Sequence, residues 1–238
     1  MGKTQVAETM NRLLITLSLF ALITVGTPFA EAAYAVDAYW QKALSVAQNN
    51  RDWIANRVVM ELRQYNGKGE KIKSGSTWIS RTVDADGKVN YEVERFGDGA
   101  LKGNRISDDT LRGQVEWDIF ARENQDRLQL TFLGNGEPMD GVPTLLYRYT
   151  LTTEAQGILL GKVWLSKKSG IPIKVISSPE EPSGPVDSSQ TTVWYHHENL
   201  YRWYPEQMNI YGEGRILMIY RRIEFEIRFS DYSRVDTP

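Results

Sequence analysis

The groups that could do chemistry are few, and their spacing does not bring them together. The chain has two histidines, His196 and His197, with Glu198 after them. A zinc hydrolase sets two histidines four residues apart on a helix, so that both rings reach one ion. Here they are neighbours in the run TTVWYHHE, and an extended backbone sends adjacent side chains to opposite faces. No metal site is expected. The tetrapeptide DADG at 84–87 starts like a calcium loop, but no acidic residue closes the pattern and its flanks read as strands, so it is predicted to be a hairpin turn. The carboxylate pairs Asp108/Asp109 and Glu180/Glu181 sit among turn residues. Glu224 and Glu226 alternate along a strand, as a solvated face would, and nothing in the spacing sets up a glycosidase pair. There is no G-x-S-x-G elbow, no phosphate loop and no dinucleotide fingerprint. The absence of cysteine removes disulfides, thiolate ligands and a Cys nucleophile. The chain is therefore expected to be no enzyme and to hold no cofactor. With 28 Lys and Arg against 30 Asp and Glu, it lacks the charge footprint of a nucleic-acid binder.

The elements that carry these groups are mostly strands. One helix comes first: Val36, Tyr39, Trp40, Ala43, Leu44 and Ala47 recur at helical spacing, with Asp37 as cap and Asn49 and Asn50 at the end. From Ile54 the period changes to two. Val58, Met60 and Leu62 alternate with Arg57, Glu61 and Arg63. Turns at 66–69 and 84–87 separate this strand from one at 76–83, carrying Trp78 and Ile79, and from one with Val89, Tyr91 and Val93 in alternation. The three make an antiparallel meander. Residues 107–123 fit both periods, and Leu111, Val115 and Ile119 favour a short helix over the sheet.

Strands are predicted at 127–133 and 144–152, with a turn at 134–141. Residues 161–175, GKVWLSKKSGIPIKV, then read as a hairpin. Leu159, Val163 and Leu165 share one face, and Lys162, Trp164 and Ser166 the other. Gly170 supplies the positive φ of the turn, and Pro172 must avoid a position that donates to the ladder. Residues 177–190, SSPEEPSGPVDSSQ, have no period and form either a mobile flap or a long hairpin connection. The last strands are predicted at 191–197, 206–211 and 214–231. Ile223, Phe225, Ile227 and Phe229 there oppose Arg222, Glu224, Glu226 and Arg228. Residues 216–220 are apolar on both faces and should be covered on both sides, on one of them by the N-terminal helix.

The first 35 residues read as an export signal. Lys3 and Arg12 give a charged start, residues 13–25 an apolar run, and AEAAYA at 30–35 a small-residue cleavage site. Both Ala30-Glu31-Ala32 and Ala33-Tyr34-Ala35 fit that site, and the second is preferred. Residues 36–238 then form a single domain, whose 41% hydrophobic and 11% aromatic content supports a full core. The aromatic load is the unusual part: Trp78, Trp117, Trp164, Trp194 and Trp203 lie on or beside strands. A sheet of about ten strands has more dry face than one helix covers, and a curved, helix-covered sheet encloses a cavity. Its expected lining is Met60, Leu62, Tyr91, Val93, Leu145, Tyr147, Val163, Leu165, Phe225 and Ile227. Alternation leaves open which face of each strand is the dry one.

The hairpin GKVWLSKKSGIPIKV resembles the G-x-v-W-l-d-x-x-t-G-x-P-x-k hairpin of LolA-like outer-membrane lipoprotein-sorting proteins. The closing stretch from Trp203-Tyr204-Pro205 to IEFEIRFSDY at 223–232 is similar to that family's last strands. The turn 137–141 before a Tyr-rich strand, the export signal and the first helix follow the same layout. The resemblance implies a mainly β, α+β fold: a curved antiparallel sheet forming an incomplete barrel, with an N-terminal helix and short lid helices over its open side. It implies a periplasmic carrier in a Gram-negative envelope, which shields lipoprotein acyl chains or other lipids and passes them toward the outer membrane. The implied partners are the lipoprotein or lipid cargo, an inner-membrane releasing complex and an outer-membrane receptor, with transient membrane contact. Relatives that act as envelope sensors imply the alternative, an interaction module with no transport role.

In the carrier an Arg-Pro pair after the second strand helps to latch the lid. Arg81 stands in that place here, with Thr82 after it instead of Pro. The acidic, Pro-rich stretch 177–190 has no counterpart, and a chain without Cys cannot be the lipid-anchored receptor. The export reading predicts a mature chain that starts at Val36. Intact mass of the exported protein checks this, and retention of residues 1–35 contradicts it.

Overall fold

Period-two alternation from Trp53 to Arg234 folds into one antiparallel sheet. In a computed structural model the described residues are 38–50, 53–83, 89–97, 118–154, 157–182, 184–199, 202–216 and 219–234. The side chains at 82, 83, 89–91, 93–97, 197–199 and 216 are outside that description. The sequence readings for 1–37, for the turn at 84–87 and for residues 107–117 of the proposed short helix lie outside it too. Helix α1 spans Ala38–Asn49. The strands are β1 Trp53–Asn66, β2 Lys71–Val83, β3 Val89–Gly97, β4 Leu128–Met139, β5 Val142–Thr153, β6 Gly157–Ser166, β7 Pro172–Pro179, β8 Val186–Asn199, β9 Arg202–Ile216 and β10 Ile219–Arg234. A 3-10 helix, Arg122–Arg127, precedes β4.

The strand order is β3-β2-β1-β10-β9-β8-β7-β6-β5-β4. Every neighbour pair except β1–β10 is also a sequence neighbour, so hairpins build two meanders and one long-range pairing joins them. The sheet is curled and unclosed, an incomplete barrel with β3 and β4 at its edges. Directly paired residues share a face. One such row crosses nine strands: Phe132, Tyr147, Val163, Val175, Val193, Met208, Ile227, Met60 and Thr77. That row defines the inner face.

α1 lies over one half of this face. Trp40, Ala43 and Val46 are buried, at the i, i+3 spacing of one helical side. They pack with Leu145, Tyr147, Tyr149 and Leu151 of β5, with Leu159, Val163 and Leu165 of β6, and with Trp203 of β9. The β6–β7 turn meets α1 directly. Gly170 has φ +72, and a Cβ there would stand 3.3 Å from Lys42 Cδ and from the Tyr39 carbonyl oxygen. Pro172 pairs with Leu165 where the register shifts, so the ladder asks no N–H of it.

Four local expectations are corrected. β4 runs on to Met139, and the turn predicted for 134–141 shrinks to Asp140 and Gly141, at φ 50 and 77. Positive φ at both positions suits a two-residue hairpin, while Gly134 makes a bulge opposite β5. Residues 177–190 are strand at both ends: 177–179 close β7 and pair with β6, 186–190 open β8 and pair with β9, and the connection shrinks to 180–185. Gly212 and Gly214 sit inside β9, so Ile216 pairs with Ile219 across the β9–β10 connection, and Ile219 is 52% exposed, not covered on both sides. Of residues 107–123, the described part is a turn and the start of the 3-10 helix. There Asn124 Nδ2 donates to the Asp118 carbonyl at 2.8 Å, and Gln125 Nε2 donates to those of Ile119 and Ala121. These bonds fix the turn that buries Ile119 and Phe120.

The outer face is charged over β1 and β10. Glu61 and Glu226 are directly opposed, and Arg63 and Arg228 each bridge both, at 2.7 to 3.2 Å. The Arg228 hydrogen bond, then the Arg63 contacts, hold the Glu226 carboxyl below its ordinary pKa of 4.5. A depressed carboxyl adds stability above its unfolded pKa and loses it as pH falls through the folded value. Glu226→Gln is expected to lower stability at about pH 7 by about 0.5–1 kcal/mol, and the gap to the parent should narrow as pH falls below 4.5; urea melts across that range check it. On the inner face, a Cβ at Gly161 would fall 2.2 Å from Tyr149 Cζ and 2.3 Å from the Ile176 carbonyl oxygen. Gly161→Val should cost about 1–3 kcal/mol or more, read from the urea midpoint.

Candidate functional site

Among the described residues the inner face divides into a half sealed by α1 and a half outside the core that α1 closes, the open half. Under α1 the sealed half is aromatic. Trp40 stacks on Phe120 at 5.1 Å between ring centroids, and Phe120 meets Trp203 edge-on at 5.1 Å. Tyr195 packs on Trp203 at 5.1 Å, and Trp40 approaches Tyr147 at 6.0 Å. Two hydrogen bonds tie the helix to this cluster. Trp40 Nε1 donates to Gln125 Oε1 at 3.2 Å, and Asn50 Nδ2 donates to the Trp203 carbonyl at 2.7 Å. Burial pushes the Tyr149 and Tyr195 hydroxyls up from their ordinary value, so both stay neutral.

The open half belongs to β9, β10, β1 and β2. The core cluster under α1 takes no described residue from β1, β2 or β10. Those strands carry their own small cluster of Leu62, Ile223 and Phe225. Val58, Leu62, Ile79 and Met208 are buried there, while Met60, Phe225, Ile227 and Phe229 keep partial exposure. Two polar residues break the apolar surface on β2. Thr77 is 1% exposed and its Oγ1 has no hydrogen-bond partner. Arg81 is 6% exposed; its Nη1 donates to Asn56 Oδ1 at 3.2 Å, and its Nε has no partner. Asn56 Nδ2 in turn donates to Ser233 Oγ at 2.9 Å.

The ten expected lining residues fall into three groups. Leu145, Tyr147, Val163 and Leu165 lie in the sealed half, none more than 5% exposed. Met60, Leu62, Phe225 and Ile227 lie together in the open half, with Met60 paired to Ile227 and Leu62 to Phe225. Tyr91 and Val93 pair through their backbones with Arg81 and Ile79, and their side chains are outside the described residues. Asn56 and Thr77 were not singled out in sequence. Their signal was available, since both alternate in step with Val58 and Ile79, but alternation alone does not say which polar residue is buried.

Of the groups first considered for chemistry, Glu224, Glu226 and His196 lie on the outer face. His196 is solvated, with Nδ1 3.9 Å from Glu206 Oε2 and its ring stacked on Tyr204 at 5.9 Å. Among the described residues no three His, Asp or Glu side chains gather as metal ligands would. Trp164 and Ser166, on the face opposite Val163 and Leu165, are buried too. The β4–β5 hairpin covers Trp164, with Gly136 placed so that a Cβ would lie 3.0 Å from its ring, and Lys174 Nζ lies 5.3 Å from the ring centroid. Among the described residues the inner side brings together no acid–base pair, and its surface is mostly apolar.

No family model matches the chain, and no curated protein matches it in sequence. Solved structures similar to it include a putative outer membrane lipoprotein-sorting protein domain from Vibrio parahaemolyticus, at 14% identity over 84% of this chain and 94% of that one, with a TM-score of 0.36. A LolA superfamily protein from Nitrosomonas europaea matches at 14% identity, the same coverage and a TM-score of 0.35. A DUF1329 family protein from Desulfovibrio piger matches at 12% identity over 81% of this chain and 92% of that one, with a TM-score of 0.34.

Because Trp40 is the centre of the sealed half, Trp40→Ala should cost about 3–5 kcal/mol. Thermal unfolding measures the loss, and an unchanged midpoint would show that α1 is not held by this ring.

Proposed function

We propose that this chain is an exported binding protein that shields acyl chains, of a lipoprotein or another lipid, on the open half of its inner face. The observation that carries this reading is the contiguous apolar surface of Met60, Leu62, Phe225, Ile227 and Phe229, which lies on the concave side and outside the core that α1 closes. Each CH₂ taken out of water gains about 0.8 kcal/mol, so a chain of ordinary lipid length repays even partial cover.

The export signal at 1–35, the single domain at 36–238 and the family resemblance support a periplasmic setting. There the cargo would come from an inner-membrane releasing complex and pass, with brief membrane contact, to an outer-membrane receptor. A second reading is an envelope interaction module. It draws on the edge strand β4, where Phe132 is 54% and Leu133 40% exposed, since an apolar edge can pair with a partner strand.

Organic extracts of the purified protein, read by mass spectrometry, and titration with a fluorescent fatty acid test the first reading. Co-purified lipid and saturable binding are expected. Ile227→Asp should keep the fold and weaken binding at least about tenfold, because the carboxylate is desolvated by any bound chain. Val163→Asp should fail to fold. No lipid in the extract and no fatty-acid binding would leave the interaction module as the better account.

A further inference from the structure

Arg81 is the one described charge that the fold buries and leaves poorly satisfied. Its guanidinium is 6% exposed, bonds only neutral Asn56 and keeps Nε without a partner. None of its described contacts is a carboxylate. A buried cation without a counter-charge is expensive, and proteins retain one where something else supplies the anion. Arg81 lies on the inner face, in line with Ile79 and Thr77, toward the end of β2 that leads into the β2–β3 connection. Asn56 stands beside it on β1, oriented by Ser233 of β10. The polar spot therefore caps one end of the apolar surface formed by Val58, Met60, Ile79 and Ile227. Thr77 lies four residues down the strand, about 13 Å away, too far to share the same group.

We propose that Arg81, oriented by Asn56, anchors the anionic oxygen group of an amphiphile, a carboxylate or a phosphate, whose apolar chain lies along the open half of the inner face. The assignment rests on the binding function proposed above and adds to it a polarity and a head-group charge. Nε and one Nη of a guanidinium present the parallel donors that a carboxylate or phosphate accepts in pairs. Here Nη1 is engaged by Asn56, which leaves Nε and Nη2 to make that pair. The same geometry argues against a purely structural role: a latch should satisfy the guanidinium within the protein, and this one is not satisfied among the described residues.

The test uses the delipidated mature chain with cis-parinaric acid, its methyl ester and inorganic phosphate. Wild type should bind the acid about ten- to a hundredfold more tightly than the ester, the ratio a charged hydrogen-bonded pair supplies. That comparison needs no variant. Arg81→Gln should bring the ratio close to one, Arg81→Lys should keep part of it, and Arg81→Met should melt no lower than wild type. Phosphate alone should bind at least a hundredfold more weakly than the acid.

Equal binding of acid and ester by wild type overturns the anchor and leaves the binding function standing. So does an acid preference that survives in Arg81→Gln. Phosphate binding as tight as the acid makes the spot a free-anion site and overturns the amphiphile. A lower melting temperature for Arg81→Met returns the residue to a structural role. Failure to bind either acid or ester removes the anchor together with the function it rests on.

Discussion

The pairing of β1 with β10 is the constraint on which the rest depends. Hairpins make the two meanders with local contacts, but only this ladder, from Trp53 opposite Arg234 to Asn66 opposite Arg221, joins them. Its register sets Met60 against Ile227 and Leu62 against Phe225. A slip of one residue would turn the apolar side of the N-terminal meander to solvent and the Glu61–Arg63–Glu226–Arg228 network inward. The charged network reads the same register from the outer side, because its four groups meet only when Glu61 lies opposite Glu226. Two incompatible surfaces, one dry and one ionic, thus specify one alignment.

With one face assembled, the helix decides how it is used. α1 brings a single large ring, Trp40, into the concave side, where Phe120, Tyr147 and Trp203 receive it. That closes the half made by β5 to β9. It does not extend to β10, β1 and β2, whose apolar residues form a separate cluster. The core and the proposed binding surface are two parts of one continuous face, distinguished by whether α1 packs on them and not by composition. Val163 and Ile227 share a row, yet the first is fully buried and the second keeps partial exposure.

Much of this was legible in the chain. The first helix, the hairpin at 161–175 and the alternation from Ile223 to Phe229 carry strong periods, and all three appear as read. Where glycine and proline stand inside strands the reading failed. Gly134 and Gly212 looked like turns and Gly214 like the start of a new strand, but a bulge or a close backbone approach also calls for glycine. A Cβ at Gly214 would fall 2.0 Å from the Pro185 carbonyl oxygen, so that glycine serves strand packing. The stretch SSPEEPSGPVDSSQ has no apolar period, and its strand residues are held by pairing with β6 at one end and β9 at the other, which local sequence does not show. For the site, alternation placed Met60, Leu62, Phe225 and Ile227 on a common side. It could not separate them from Leu145, Tyr147, Val163 and Leu165, since the position of α1 is a tertiary fact. Arg81 was reached through the family resemblance, and its burial and unpaired Nε became visible only in three dimensions.

The central claim is that the open half of the inner face, and not the aromatic half, receives an apolar chain. Methyl NMR of the delipidated protein with a spin-labelled stearic acid addresses it most directly, since the label broadens signals only near where the chain lies. The account predicts early broadening at the methyl groups of Met60, Met208 and Ile227, with Val163 and Leu165 unaffected at the same ratio. Broadening confined to exposed Ile158 and Leu160, or none at any inner-face methyl, would contradict it.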